Sequence, residues 1–492
     1  MLKQIDAFLN RFTMYKVMLY GLILLLVVAD ILAWTGQLAI GPVALLVSAI
    51  LLGLVCYITN EILGRLFHAP RNSESYLITA LILTCILPPS DSLHRALLVA
   101  VTGVIAMASK YILTWRGSHF LNPAATGAFV MSVTGLLPAM WWAASPTMII
   151  PTSLLALAVL RKQRKFQLFF VFAASAILLL LYIGVGFHDQ TAWAVFKSAW
   201  LSWPIIFLGS IMLTEPTTLA PTRYYQLLEG ALVGVVFASQ LRVGAVTATP
   251  QTALLVGNLL TLFAVPTIGT MFKLKQINTL AQNTYDLVFE PVGRTIPFTP
   301  GQYLEWTLDY PKADIRGNRR LFSIASSPTE TEFHLGTKSY ETGSTFKKAL
   351  LALQPGSQIR VAHPAGSFTL PTKNDRPIVF IAGGIGITPY RSMVKYLSDT
   401  NQTMDITLLY SARSEADFVY RDVFDSAASV GVKPIYTTER LDTAAFEKLL
   451  PNLRQSLIYI SGPDAMVTSY KNMLKGLGVK ASSIKTDHFT GY

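Results

Sequence analysis

A chain of 492 residues that is 52% hydrophobic and only 14% charged, with a mean hydropathy of +0.45, lies outside the range of ordinary globular proteins. The apolar excess is uneven: residues 1–270 carry 15 Lys and Arg against 8 Asp and Glu, whereas residues 271–492 carry 25 against 20, so the front reads as membrane and the back as soluble. The net charge of +12 therefore gives the soluble half no dominant basic face, which excludes nucleic acid as a partner.

About 20 apolar residues cross a bilayer. The front half divides into about ten such segments, near 14–34, 40–58, 76–89, 93–114, 122–137, 140–160, 166–186, 193–213, 226–241 and 252–270. Several are short or broken by Pro and Gly, which membrane depth tolerates only around a protein-enclosed site. With the N-terminus inside, Arg65, Arg71, Arg116, the run Arg161-Lys162-Gln163-Arg164-Lys165, Arg223, Lys273 and Lys275 also fall inside, and the opposite loops offer little beyond Arg242. The positive-inside rule then predicts a multi-pass protein of the cytoplasmic (inner) membrane with both termini cytoplasmic. Lys3 and Arg11 precede the first span as in a signal peptide, but no small-residue cleavage site follows, so a retained helix is expected.

Charged residues inside spans, Asp30, Lys110, Lys197 and Glu229, are functional candidates by default; Lys197 has the alternative of snorkelling to the outer interface. Cys56 and Cys85 are too few for an iron–sulfur cluster within one chain and read as small apolar residues. His68, His94, His119 and His188 lack the paired spacing that transmembrane haem needs. No metal site is expected.

The segment Leu77 to Pro89, Lys110, the run Ser118-His119-Phe120-Leu121-Asn122-Pro123-Ala124-Ala125, then Met212-Leu213-Thr214-Glu215-Pro216-Thr217-Thr218 and Asn258 resemble the flavin-carrying membrane subunits of the sodium-pumping NADH:quinone reductase and of the Rnf complex. That resemblance implies a flavin in the membrane, with His119, Asn122, Thr214, Glu215 and Thr217 as its candidate contacts. Covalent FMN in that family hangs on a Thr in a [ST]-G-A-T motif, which this sequence lacks; the corresponding outer loop reads Phe187-His188-Asp189-Gln190-Thr191-Ala192. The expected second flavin, FMN or riboflavin, is therefore non-covalent. A helix cap on a cytoplasmic loop is the plainer role for His119 and Asn122.

From Lys273 the period changes to alternation, with short half-buried strands at 285–290, 303–308, 332–335 and 358–361, as in a small antiparallel barrel. After Arg376-Pro377 apolar strands at 378–381, 406–410, 434–436 and 457–460 alternate with helices, as in an open parallel sheet. The predicted fold is a polytopic α-helical membrane domain (1–272) fused to a soluble antiparallel β-barrel FAD domain (273–372) and an α/β parallel-sheet nucleotide-binding domain (373–492).

Residues 273–492 resemble the ferredoxin–NADP reductase superfamily, with its motifs in order. Arg320-Leu321-Phe322-Ser323-Ile324-Ala325-Ser326 matches the R-x-[YF]-S-x-x-S flavin motif, in which the resemblance assigns Arg320 to the pyrophosphate and Phe322 with Ser323 to the isoalloxazine. Gly343-Ser344-Thr345 is similar to the second phosphate contact. His363-Pro364-Ala365-Gly366-Ser367-Phe368 resembles the G-P-x-G-x-F turn with His363 in place of Gly, which makes Gly366 and Phe368 candidates.

Gly383, Gly384, Gly386, Thr388 and Pro389 would cradle the pyrophosphate of NAD(P)H, with Thr388 near the nicotinamide. Ser461-Gly462-Pro463, where the family often has Cys in place of Ser461, and Met466 complete that side. The family's tails stack an aromatic on the flavin; Phe489 is the first candidate and Tyr492 the rival. Arg413 and Arg440 are candidates for a 2′-phosphate, but Glu439 opposes one, so NADH and NADPH stay open. Ser323, Thr388, Ser461, Phe489 and Tyr492 are the expected catalytic set.

The expected function is an NAD(P)H dehydrogenase that passes electrons through FAD to a membrane flavin and on to quinone or an extracytoplasmic acceptor protein. A redox-driven ion-pump subunit and a transmembrane ferric reductase are the alternatives. A further copy of the chain joins the membrane, NAD(P)H and the acceptor among its expected partners.

Overall fold

The computed structural model describes residues 2–9, 12–67, 73–115, 118–220, 222–264, 270–293, 295–308, 310, 318–340, 343–372, 376–439, 442–450 and 452–489. The chain divides into two compact units, one running to Ile268 and the other beginning at Gly269.

The first unit is helical. Met14–Trp34, Pro42–Leu66, Leu93–Ile112 and Phe166–Phe187 are long and apolar enough to cross a membrane, and the pair Ala192–Leu201 and Ile205–Met212, bent by 56°, makes a fifth span if taken as one. The bend falls at Pro204, which cannot donate to the helix ladder, and a π-helical turn follows at Leu208–Met212. Each of the ten expected segments contains helix among the described residues, but ten crossings are not reached there. The reason is length: Ser73–Ile86 has 14 residues and Pro123–Val133 has 11, about 21 and 17 Å of helix against a hydrocarbon core of about 30 Å. Segment 140–160 begins as two short 3₁₀ turns and becomes an α-helix only at Ile149. Leu22, Leu52, Leu83, Val99, Phe172, Phe207 and Val233 are fully buried where these helices meet. Thr191 caps the helix Ala192–Leu201, its hydroxyl accepting from Ala194 N at 3.2 Å.

The second unit holds two sheets. Strands β1 (Thr270–Ala281), β2 (Thr284–Pro291), β3 (Tyr303–Thr307), β4 (Arg319–Ser323), β5 (Phe333–Lys338) and β6 (Gln358–Val361) form an antiparallel sheet in the order β4-β3-β6-β1-β2-β5. Its edges meet just past β4, where Ala325 N donates to His334 O at 2.9 Å. Phe272, Phe289, Trp306 and Phe333 fill the interior, with Phe272 and Phe333 centroids 4.5 Å apart.

Strands β7 (Ile378–Gly383), β8 (Ile406–Ser411), β9 (Val432–Thr437), β10 (Leu457–Pro463) and β11 (Ile484–Phe489) form a parallel sheet ordered β9-β8-β7-β10-β11. Every residue of the central β7 is buried, as its unbroken apolar run requires. The C-terminal tail is thus a strand, paired in register with β10 as far as Phe489.

Candidate functional site

In the barrel, β4 carries the flavin motif. Arg320 and Phe322 point inward while Leu321 is exposed, the alternation a strand imposes. The Arg320 guanidinium carbon lies 5.2 Å from the Phe346 ring centroid and its Nη1 donates to Arg319 O at 2.7 Å. Phe322 packs on the same Phe346, with centroids 6.1 Å apart, so its ring is a core group. Phe346 belongs to the helix Thr345–Leu351, where Ser344 is the cap: its hydroxyl accepts from Lys347 N at 3.3 Å. Gly343 N donates to Tyr340 O at 2.7 Å, and Thr345 Oγ1 lies 3.0 Å from Tyr310 OH. The two phosphate motifs, 23 positions apart between Arg320 and Gly343, therefore meet through one ring.

Gly366 lies against Tyr303, whose own backbone bridges to Ala365. Burial, with Asp487 and Glu305 adding to it, pushes the Tyr303 phenol up to about 12. Phe368 is not at an open face: it is buried edge-on between Tyr390 and Tyr459, in the core of the parallel sheet. Burial lowers His363, at the start of the same turn, to about 4.

In the parallel sheet, β7 ends at Gly383 and a 3₁₀ turn Gly384–Ile387 leads into the helix Thr388–Thr400, with Pro389 in its first turn. Gly384 adopts φ +55 and faces open space, a cradle that an added side chain would occupy. Gly386 is required for the opposite reason: a Cβ there would lie 2.6 Å from Gly462 Cα. Gly462 has φ +152 and Met466 presses on Gly383, so the ends of β7 and β10 are in contact. Pro463 is exposed. Thr388 Oγ1 donates to Ile385 O at 3.2 Å. Ser461 is fully buried and its hydroxyl has no hydrogen-bond partner among the described residues. An open glycine cradle beside an unsatisfied buried hydroxyl fits a nucleotide with polar groups of its own. Arg413 is exposed just past β8. Phe489 ends β11, its side chain lying outside the described residues, as do Arg440 and Tyr492 altogether.

Sequence reasoning missed Asp487. Its Oδ2 accepts from Ser323 Oγ at 3.2 Å, which links β4 to β11, and it sits opposite Ser461 in the β10–β11 register. In the sequence the tail stands out only by its aromatic residues, which draw attention away from the carboxylate between them and β10.

The first unit has a separate polar cluster. Asn122 caps the helix Pro123–Val133, its Oδ1 accepting from Ala125 N at 2.9 Å, while its Nδ2 donates to Glu215 Oε2 at 2.6 Å. Cap and side-chain contact are thus made by one residue. His119 Nε2 lies 3.9 Å from Glu215 Oε1, buried and with no hydrogen-bond partner among the described residues. Asn122 N donates to Asn258 Oδ1 at 2.9 Å, Asn258 Nδ2 to Glu229 Oε1 at 3.3 Å, and Ala220 N to Glu229 Oε2 at 2.9 Å. Thr214 is buried, bonded to Ser210 O at 2.7 Å and approached by Gln163 Nε2 at 3.3 Å, and Thr217 is half-buried nearby in sequence. Lys110 Nζ donates to Ser75 Oγ at 2.9 Å and Thr79 Oγ1 at 3.0 Å; Lys197 is exposed.

The strand–glycine turn–helix of the parallel sheet, backed by the antiparallel barrel, defines the class: a nicotinamide-nucleotide oxidoreductase module. Residues 380–472 match the oxidoreductase NAD-binding domain family. The chain is 27% identical over 238 residues to ferredoxin–NADP reductase B of Sorangium cellulosum (strain So ce56), covering 44% of this chain and 96% of that protein. It is 27% identical over 212 residues to a flavohemoprotein of Burkholderia sp. (strain TH2), covering 40% of this chain and 52% of the relative, so it spans about half the length of that protein. The FAD/NAD-binding domain of nitric oxide dioxygenase from Vibrio cholerae O1 biovar El Tor superposes with a TM-score of 0.40 at 20% identity, covering 45% of this chain and 99% of that one. The C-terminal part of the chain matches the ferredoxin–NADP reductase superfamily, whose matched members are FAD- and NAD(P)H-dependent oxidoreductases.

Proposed function

We propose that the protein is a membrane-bound NAD(P)H dehydrogenase in which residues 273–372 hold FAD, residues 373–492 hold NAD(P)H, and the helical unit receives the electrons. The observation that carries the reading is the glycine turn at Gly383–Pro389, open at Gly384 and closed against β10 at Gly386. Arg320 supplies a buried cation for a pyrophosphate, Ser344 and Thr345 a second polar edge, and Thr388 with Ser461 the hydroxyls beside the nicotinamide. Asp487 holds the Ser323 hydroxyl in one orientation. A bound flavin supplies the chemistry these residues lack, taking two electrons together and releasing them singly. Phe489 or Tyr492 would be the aromatic that stacks on the flavin.

For the first unit, the cluster of His119, Asn122, Thr214, Glu215 and Thr217 is the proposed seat of a second, non-covalent flavin, FMN or riboflavin. The unsatisfied His119 Nε2 supports this, since a buried ring nitrogen without a partner suits a polar ring ligand. The motifs shared with the flavin-carrying membrane subunits of the Rnf complex and the sodium-pumping quinone reductase support it too. Quinone or an extracytoplasmic protein would then be the acceptor, in the cytoplasmic membrane with both termini inside, and the chain would have scope to assemble with further copies of itself. Anaerobic titration of the purified protein tests the reading: NADH or NADPH should bleach its flavin absorbance, and a spectrum unchanged by either would remove it.

A further inference from the structure

Within the second unit, the barrel and the parallel-sheet lobe are joined by a seam of buried polar groups. Asp286 on β2 stands directly opposite Gly336 on β5. Its carboxylate is buried, accepts from Tyr420 OH at 3.0 Å and lies 2.7 Å from His334 Nδ1. Tyr420 comes from the other lobe, at φ +59, a left-handed conformation uncommon for a bulky residue. Gly336 admits the turn of that lobe so closely that a Cβ would lie 2.5 Å from Thr388 Cγ2 and 2.9 Å from Tyr420 OH.

The seam continues one helical turn beyond Thr388. Arg391 Nη2 donates to Glu330 Oε1 at 2.9 Å; its Nη1 contacts Glu330 Oε2 and donates to Ala325 O at 3.1 Å. Ser392 Oγ donates to Ser326 O at 2.6 Å, and the Arg391 guanidinium lies 5.7 Å from the Tyr420 ring centroid. Ala325 and Ser326 lie just past the end of β4, the flavin-motif strand, with one residue between. The carboxylates Asp286 and Glu330 are on the barrel and their donors Tyr420 and Arg391 on the other lobe, so the contacts fix one docking register. Buried polar pairs of this kind add little stability over apolar packing but have a known use in fixing register.

We propose that Tyr420 with Asp286, and Arg391 with Glu330, are positioning residues that hold the Thr388 turn in register with the flavin strand, so that the rate of hydride delivery depends on them. The inference rests on the NAD(P)H–FAD reading above. Its logic is distance: misplacing reacting groups by about 1 Å costs on the order of 10²-fold in rate, and the seam sets the placement of Thr388 relative to Ser323.

The test uses the full-length protein in detergent and two variants that disturb the seam differently. Tyr420→Phe removes one hydrogen bond; Gly336→Ala inserts a methyl between β5 and Thr388. Hydrogen–deuterium exchange of the amides at 384–392, measured without nucleotide, should quicken about fivefold or more in each, while FAD content and exchange in the helix Pro123–Val133 stay at parental values. Flavin reduction at saturating NAD(P)H should slow about 10- to 100-fold, with nucleotide affinity within about threefold of the parent. Parental exchange at 384–392 in Tyr420→Phe overturns the inference, as does a rate loss that merely follows lost FAD or weakened nucleotide binding. A parent reduced by NAD(P)H alongside variants reduced equally fast sinks this inference alone. A parent that neither nucleotide reduces sinks the underlying reading with it.

Discussion

With Arg320 as the proposed pyrophosphate contact, FAD retention should depend on this buried guanidinium, because it would make charge-assisted hydrogen bonds. Arg320→Ala should lose FAD on gel filtration, a weakening of about 1.5–3 kcal/mol; full occupancy in that variant would take Arg320 out of the site. His363 makes a pH prediction. Burial lowers it from 6.5 to about 4, so between those values the unfolded chain binds a proton that the folded one does not. Stability is full above the unfolded value and is lost as pH falls toward the folded one. At pH 5 the loss should be about 1 kcal/mol, roughly half the full linkage value because the ring keeps some solvent access. His363→Gln should flatten the urea-midpoint profile between pH 7 and pH 5. Arg320 was legible in the sequence because its motif is local. Asp286 and Tyr420 were not, since a contact between residues 134 positions apart leaves no periodicity to read.

At the scale of elements, the turn between β7 and its helix leaves no room for a side chain at Gly386. Gly386→Ala should push Ser461 and Gly462 away, weaken nucleotide binding at least about tenfold and destabilise the lobe by about 1–3 kcal/mol. Isothermal titration with NADH and NADPH, beside a melting curve, checks both. Strands β7, β8 and β10 were legible as apolar runs because both sheet faces are covered. Strand β4 showed through its motif and β11 did not show at all: Ile484 to Phe489 mixes charge with apolar residues, as an edge strand does. The helical segments were legible in composition, but apolarity does not report length. Where Pro204 or the 3₁₀ turns before Ile149 interrupt the ladder, an apolar stretch stops being one crossing.

For the whole molecule, each unit has its own buried core, so a fragment beginning near Thr270 should be soluble, yellow and able to reduce a dye with NAD(P)H. The helical unit carries the stronger claim, that electrons pass from this module into a flavin among the helices. A hydrocarbon core of about 30 Å is too thick for one tunnelling step, so an intermediate carrier is needed if electrons cross. The most direct measurement is the flavin released per chain by acid, counted and identified in full-length protein, in the fragment and in full-length Asn122→Leu. The fragment should release one FAD and the full-length protein FAD plus one FMN or riboflavin, while Asn122→Leu should lose only the second flavin and keep its NADH-to-dye activity. One FAD per chain in all three, with no other chromophore, would refute a flavin among the helices.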